Sequence, residues 1–221
     1  MATAVVNGKI VTESAVTEGT LILDEGVIRA FLSPQSDYRA MYPGCTVIDA
    51  DGQFVVPGGV DGHVHFGGFG TIPIADDFVT GSRAALAGGT TTVVDFCEPA
   101  VGQDPIDCIR ERKEMAKDSM VDFALHFTFT ENYREELPRI DEILSEGITA
   151  FKGYTFYPNT SLLPGDFLRI METIHDQGTL LVHGDGNIIG RLKRIAAVER
   201  KIPEHRQHQR RQIAHPVGRV K

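Results

Sequence analysis

The sequence predicts an α/β fold in which a small antiparallel β unit at residues 1–57 precedes a partial TIM-like (β/α) barrel at residues 58–190. Three observations predict it. Short apolar runs separated by turn residues fill the first part of the chain. Beyond it, strand and helix patterns alternate about every 30 residues, which is typical of βα units around a parallel sheet. Five strands and four helices can be recognised, whereas a closed eight-stranded barrel needs about 250 residues.

The β unit is predicted from its turn signals. Asn7-Gly8 lies between two short apolar runs and favours a tight hairpin turn. Asp24-Glu25-Gly26 and Asp51-Gly52 separate further pairs of apolar runs. Hairpin-connected strands pair antiparallel, so we expect an antiparallel sheet here.

The predicted barrel elements follow in chain order. The first strand has the sequence GGVDGHVHF, and the helix after it ends at Gly88-Gly89. The second strand, TTTVVDF, is rich in β-branched residues and is predicted to be buried on both faces. Three more helices and three more strands are predicted: the helices near 105–118, near 132–145 and at DFLRIMETIHDQG, and the strands VDFALHFTF, ITAFKGY and TLLVHGDG.

Composition excludes several classes of protein. The chain is 42% hydrophobic and 24% charged, which is typical of a globular protein. No apolar run approaches the roughly 18 residues that span a bilayer, and the first residues lack the pattern of a secretory signal. Three widely spaced cysteines are predicted to be reduced thiols. We therefore expect a cytoplasmic protein without a membrane partner.

Charge divides the chain unevenly. Residues 191–221 hold ten of the 22 Lys and Arg residues and form a basic tail of undefined structure. Residues 1–190 carry 12 basic and 28 acidic groups, a formal charge of −16. Because nucleic-acid binding depends on neutralising phosphates, this acidic body argues against a nucleic-acid partner. The abrupt change at residue 190 suggests the hypothesis of a truncated or frame-shifted product.

His63 and His65 end the first predicted barrel strand. In a strand, residues i and i+2 point to the same face, so both imidazoles are expected to converge. Converging imidazoles suit a divalent transition metal. The alternative is a pair of polar residues on an exposed strand edge.

Lys152 and His183 belong to later strands. Lys152 lies in the apolar strand ITAFKGY, where burial of an ammonium is unfavourable unless it is paired or modified. Its alternative is a lysine at the strand end that reaches solvent along its own stem. His183 closes TLLVHGDG, and its alternative is a structural histidine. The three strands would all place these groups at the carboxyl-terminal rim, where barrel active sites are built.

Other polar residues of the predicted strands are weaker candidates. His126 has bulky neighbours and is expected in the core or on the rim. Asp95 at the end of the second strand and Glu98 just after it are expected on the rim, with capping or loop roles.

Four segments together resemble the dihydropyrimidinase/hydantoinase branch of the cyclic amidohydrolases. They cover residues 1 to about 190 in the family's order: VVPGGVDGHVHF, DDFVTGSRAALAGGTTTVVDFC, GITAFKGYTFY and LLVHGDGN. The resemblance implies a TIM-like barrel beside a β-sandwich built from both chain termini. It therefore implies that residues 1–57 form the N-terminal part of that sandwich.

The resemblance also implies an activity and a set of roles. Two divalent metal ions, zinc in the family, would serve to open a dihydropyrimidine or hydantoin ring to an N-carbamoyl amino acid. His63 and His65 would bind one metal, His183 the other, and Lys152, carboxylated on its amine, would bridge both. Tyr157 would donate a hydrogen bond to the developing oxyanion. Family members commonly form tetramers.

Departures from the family pattern keep alternatives open. The family uses a further histidine and a metal-binding aspartate from later strands, and no residue of this chain can be assigned to either role. The alternatives are an allantoinase-like amidohydrolase, a non-catalytic scaffold relative, and an incomplete, inactive chain. The intact residues His63, His65, Lys152 and His183 argue against a scaffold.

Overall fold

The computed structural model describes residues 1–68, 73–157 and 160–184. The chain divides into two compact units, Met1–Gly58 and a unit that begins at Gly59. The basic tail predicted at 191–221 lies outside the described residues.

The first unit is a single five-stranded sheet with one short helix. In chain order its elements are β1 (Thr3–Val11), β2 (Val16–Asp24), β3 (Val27–Leu32), α1 (Tyr38–Met41), β4 (Thr46–Asp49) and β5 (Phe54–Val55). The strand order is β3-β2-β1-β4, and β5 also pairs with β1. A small core forms around Ala4, Val6 and Ile22.

The prediction of an antiparallel unit was wrong in part, because this sheet is mixed. β2 pairs antiparallel with β1 and β3, while β4 and β5 both pair parallel with β1. The two-residue turn Glu25-Gly26 is confirmed, with φ of 50° and 75° as a hairpin of this length requires. The chain then crosses through α1 to reach the other side of β1, and a crossover of this kind produces parallel pairing.

Asn7-Gly8 is not a hairpin turn. β1 runs through it, and its register with β2 shifts between Val5 and Gly8, which marks a β-bulge. Asn7 has a φ of 55°, and a Cβ on Gly8 would lie 2.5 Å from Cγ2 of Val55. The pair therefore bends the strand and admits a close neighbour, a role that the dipeptide pattern alone does not distinguish from a turn.

The second unit confirms the α/β prediction. Its strands are β6 (Gly59–Asp61), β7 (Thr90–Cys97), β8 (Asp122–Thr128), β9 (Ala150–Tyr154) and β10 (Thr179–His183). They are parallel and lie side by side in chain order, as in part of a (β/α) barrel. The helices between them are α2 (Phe78–Ala87), α3 (Pro105–Met115), α4 (Tyr133–Glu136), α5 (Ile140–Ser145) and α6 (Pro164–Ile174).

The helix predicted at 132–145 is interrupted. α4 and α5 are separated by a 3₁₀ turn at Leu137–Arg139. Pro138 explains the break, since proline has no N–H to donate and clashes with the preceding turn of an α-helix. Helix α2 has defined ends. Asp77 caps its start through Thr80, and the helix ends at Gly88 as predicted.

Successive side chains of each strand point to opposite faces of the sheet, so one face packs into the core and the other carries the candidate site residues. In β8, Leu125 and Phe127 belong to the buried apolar cluster that includes Phe167 and Ile170 of α6. The residues between and beside them, His126 and Thr128, point to the opposite face of the sheet. The same alternation puts Phe151 in the cluster and Lys152 on the opposite face. No helix of the described segments is long and apolar enough to cross a bilayer.

Candidate metal centre

His63 and His65 lie just beyond β6 rather than in it, because β6 ends at Asp61. The backbone still follows β7, since the N–H of Val64 donates to the carbonyl of Val94 at 3.0 Å. The N–H of His63 donates to Oδ1 of Asp61 at 3.1 Å. The two imidazoles converge as the i, i+2 spacing predicts, with ring centroids 5.1 Å apart and planes at 81°.

The ring of Phe96, near the end of β7, contacts both of these histidines. Its centroid is 4.6 Å from that of His63 and 4.8 Å from that of His65. His126 of β8 lies on the same ring at 4.8 Å, and Nζ of Lys152 is 5.5 Å from its centroid. Groups from β8, β9 and the segment after β6 therefore surround one aromatic ring of β7, whose role the sequence did not reveal.

Lys152 does not reach solvent, so that alternative is wrong. Lys152 is only 5% exposed, and Nζ lies 5.3 Å from the ring centroid of Tyr154 as well as near Phe96. Among the described residues, no acidic side chain forms an ion pair with it. Burial lowers the pKa of Lys152 below its ordinary value of 10.5, because a buried ammonium is unfavourable without a compensating anion.

His183 ends β10, on the strand next to Lys152. Its ring centroid is 5.6 Å from that of Tyr154 and 5.8 Å from that of Tyr157. The β9–β10 pairing sets Lys152 opposite Leu181 and Tyr154 opposite His183. Tyr157, the candidate oxyanion donor, is 43% exposed. His183 and Tyr157 thus lie together at the carboxyl-terminal edge of the sheet. Lys152 lies two residues further into the sheet, on β9.

The surroundings of His63 and His65 favour the neutral form of both imidazoles. Partial burial, followed by the charges of Lys152, His126 and His183, lowers the pKa of His63. Burial is also the first cause that lowers the pKa of His65. Metal binding requires the neutral imidazole, so these shifts favour coordination at neutral pH.

His126 has a defined partner that the sequence left open. Its Nε2 lies 3.0 Å from the carbonyl oxygen of Gly62 and donates to it. Gly62 directly precedes His63, so His126 holds the backbone at the start of the histidine pair. The expectation of a capping or loop role for Asp95 was wrong, because Asp95 lies within β7 and its buried carboxylate accepts from the N–H of Phe66 and of Phe96.

The donor chemistry fits a metal centre only if Lys152 takes part. Within the residues that the structure describes, no three His, Cys, Asp or Glu side chains form a metal-binding group. His63 and His65 supply two nitrogen donors, and His183 lies apart from them beside Tyr154 and Tyr157. Lys152 belongs to the strand between these two groups, and an anionic group on its amine would supply oxygen donors there.

Comparison with known proteins shows the relationship of the chain. It is 32% identical over 192 residues to a D-hydantoinase of Streptomyces coelicolor, covering 84% of this chain and 41% of that protein. It is 31% identical over 213 residues to D-phenylhydantoinase of Escherichia coli, covering 91% and 44%. The chain is therefore similar to hydantoinases over most of its own length. No protein-family model matches it.

Solved structures of hydantoinases and a dihydropyrimidinase support the same relationship. The D-hydantoinase of Bacillus sp. AR9 superposes with a TM-score of 0.74 at 28% identity, over 89% of this chain and 43% of that one. The dihydropyrimidinase of Brevibacillus agri gives 0.72 at 28% identity, over 90% and 43%. The resemblance and the fold class predicted from the sequence are thus confirmed. The chain spans less than half the length of these relatives.

Proposed function

We propose that this chain contributes to a metal-dependent hydrolase that opens dihydropyrimidine or hydantoin rings to N-carbamoyl amino acids. One observation carries the proposal: His63, His65, Lys152 and His183 lie at or near the carboxyl-terminal ends of strands of one parallel sheet, in a chain similar to hydantoinases. That edge is where (β/α) barrels build their active sites.

The proposed ligand set divides between two divalent ions, zinc by resemblance. His63 and His65 would hold one ion, and His183 would hold the other. Bound there, the two ions would activate a water molecule and polarise the ring amide carbonyl. The lowered pKa values of His63 and His65 support this assignment, because neutral imidazole is the binding form.

Lys152 would bridge the ions as a carbamate. The ammonium first loses a proton to solvent. The neutral amine then adds to carbon dioxide: an N–C bond forms, one C=O π bond opens to a carboxylate oxygen, and a second proton leaves to solvent, so that a cation becomes an anion. Its burial without an acidic partner in the described segments supports this modification, since its neighbours Phe96 and Tyr154 are aromatic rings that carry no neutralising charge.

Tyr157 is proposed to act on the substrate. Its hydroxyl would donate a hydrogen bond to the oxygen on which negative charge develops when the ring carbonyl is attacked. The ring packs edge-on against Tyr154, 5.2 Å between centroids, and against His183, which limits the positions of the hydroxyl.

Metal analysis combined with a ring-opening assay tests the function. The metal-loaded protein is incubated with hydantoin, dihydrouracil and allantoin, and release of the N-carbamoyl product is measured. Two bound metals and turnover of the first two substrates support the proposal. Preference for allantoin favours the allantoinase-like alternative, and a folded protein without metal or turnover contradicts the proposal.

A matched pair of lysine variants shows whether the site is responsible. Lys152→Met should remove bound metal and turnover, while Lys117→Met, at an exposed ion pair on the surface, should leave both unchanged. Equal behaviour of the two variants would refute the role of Lys152.

Location and assembly are secondary proposals. The three cysteines are free thiols, which supports a cytoplasmic location. A tetramer remains a prediction from the resemblance, to be checked by light scattering.

A further inference from the structure

The peptide groups of Phe66, the residue after His65, are held by a buried ion pair. Oδ2 of Asp95 in β7 accepts from the N–H of Phe66 at 3.3 Å. Nη2 of Arg112, which reaches over from α3, donates to the carbonyl of Phe66 and, at 2.8 Å, to the same Oδ2 of Asp95. Both backbone groups of one residue are therefore bound by one acid–base pair.

This pair is buried where an ion pair adds little to stability. The side chain of Asp95 is fully buried and that of Arg112 is 12% exposed. Removing two charges from water offsets most of their attraction, so a buried pair is often no better than an apolar one. Stability alone therefore does not account for the pair. Its effect is to hold hydrogen-bond donors and acceptors in fixed directions around the backbone of Phe66.

The surrounding residues leave the pair and Phe66 little freedom. The guanidinium of Arg112 lies 5.1 Å from the ring centroid of Phe78 at the start of α2. The ring of Phe66 occupies the space beside Gly81 in α2 that a Cβ atom would fill. At the other end of the segment, His126 holds the carbonyl of Gly62. Residues 62–66, the histidine segment, are thus fixed at both ends.

We propose that Asp95 and Arg112 are positioning residues that fix Phe66 and thereby aim the imidazole of His65 at the metal centre. The inference rests on the proposed function, since it is for metal binding that the aim of His65 matters. The hydrogen bonds of the pair to Phe66 are to its backbone N–H and carbonyl, so the pair acts on His65 through the backbone of the histidine segment.

The matched variants separate this role from general stability. Asp95→Asn combined with Arg112→Gln removes both charges and leaves an uncharged polar side chain at each position. Arg112→Lys keeps the charge but loses the planar fork of donors, and it serves if the double variant does not fold. The control is Lys113→Gln with Glu146→Gln, which removes a neighbouring ion pair between α3 and the end of α5, 2.7 Å between Nζ and Oε2.

The first readout needs no metal. Ring currents of Phe96 shift the imidazole CH resonances of His63 and His65 in the NMR spectrum of the metal-free protein, and His63→Gln and His65→Gln assign them. We expect the Asp95/Arg112 variants to lose these shifts or broaden the His65 signals, while the control keeps them. Wild-type shifts in the Asp95/Arg112 variants would overturn the proposal.

The second readout is titration with Co²⁺ alone, followed by its visible spectrum. Affinity should fall about 10- to 100-fold in the Asp95/Arg112 variants, as is usual for supporting residues of metal sites, with the urea midpoint matching that of the control. Equal losses of affinity in both pairs would indicate a structural role and overturn the proposal. If the wild-type protein binds no Co²⁺, the proposed function fails, and the NMR comparison still decides whether the pair positions His65.

Discussion

At the scale of single residues, Lys152 is the position where folding and the proposed function conflict. The amine is buried and has no acidic partner in the described segments, an arrangement that costs about 1–3 kcal/mol for a buried polar group without compensation. The conflict disappears if the amine becomes a carbamate that binds metal. The loss of stability that the buried ammonium causes can therefore be measured in the metal-free protein.

Replacing Lys152 with methionine should stabilise the metal-free protein. The variant keeps an unbranched apolar side chain and removes the buried ammonium, so we expect a gain of about 1–3 kcal/mol in the free energy of unfolding. Urea denaturation in degassed, carbon dioxide-free buffer with a chelator measures it. Lys117→Met is the control and should change stability by less than about 0.5 kcal/mol. A loss of stability in Lys152→Met would contradict this account.

The same substitution predicts a pH dependence. The pKa of Lys152 is lowered in the folded state, so the unfolded chain binds more protons in the interval between the folded pKa and 10.5. The destabilisation is complete below the folded pKa and disappears as the pH rises towards 10.5. The stability difference between Lys152→Met and wild type should therefore shrink as the pH rises from the folded pKa towards 10.5. A constant difference would show that the lysine is not responsible.

At the scale of elements, α2 positions the histidine segment through its own ends and packing. Asp77 caps the helix: its carboxylate accepts from the N–H of Thr80 at 2.7 Å, and Thr80 Oγ1 accepts from the N–H of Asp77 at 3.1 Å. Gly81 then leaves the space that the Phe66 ring fills. Loss of the Asp77 cap or of the space at Gly81 should therefore destabilise α2 more than the sheet.

Asp77→Ala should lower the free energy of unfolding by about 1 kcal/mol, the usual cost of losing an N-cap. Asp76→Ala, at the exposed neighbouring position, should have an effect below about 0.5 kcal/mol. Hydrogen bonding to Thr80 lowers the pKa of Asp77, so the contribution is present above the unfolded pKa and is lost as the pH falls through the folded value. Denaturation of both variants at neutral and acidic pH checks the two claims together.

Gly81→Ala should destabilise the second unit although alanine favours helices. The added Cβ would overlap the ring of Phe66, and overpacking of this kind costs about 1–3 kcal/mol. Gly165→Ala in α6, where no atom lies within 4 Å of the new Cβ, should instead be neutral or stabilising by up to about 1 kcal/mol. Thermal unfolding of the two variants should give shifts of opposite sign, and a stabilising Gly81→Ala would show that Phe66 moves freely.

At the scale of the whole molecule, metal binding should raise the unfolding temperature, because a ligand that binds only the folded state stabilises it. At 100 times the dissociation constant the gain is about 2.7 kcal/mol, or roughly 5–10 °C for a chain of this size. Calorimetry with and without Zn²⁺ measures the shift. His65→Asn should abolish it, whereas His175→Asn, at an exposed position away from the site, should retain it. An equal shift in both variants would place the metal elsewhere.

The sequence alone predicted the elements of the second unit and the residues of the candidate site. Apolar runs such as TTTVVDF and ITAFKGY produce strands wherever they are buried, so β7 and β9 were predictable from local pattern. The sequence was less informative where the same local pattern is compatible with two different structures. Asn7-Gly8 forms a bulge instead of a turn, and the helix at 132–145 breaks at Pro138, because strand pairing and packing over long sequence distances decide between such local options.

What the sequence determined is the order of strands and the four candidate ligands, since periodicity and residue type are local properties of the chain. What only the tertiary structure decided is the surroundings of those ligands: that Lys152 is enclosed, that Phe96 lies against both histidines, and that Asp95 and Arg112 bind the backbone beside His65. These contacts join residues from different strands and helices. The energies of these contacts depend on how deeply the side chains are buried and on the direction of their hydrogen bonds, and the spacing of residues along the chain predicts neither.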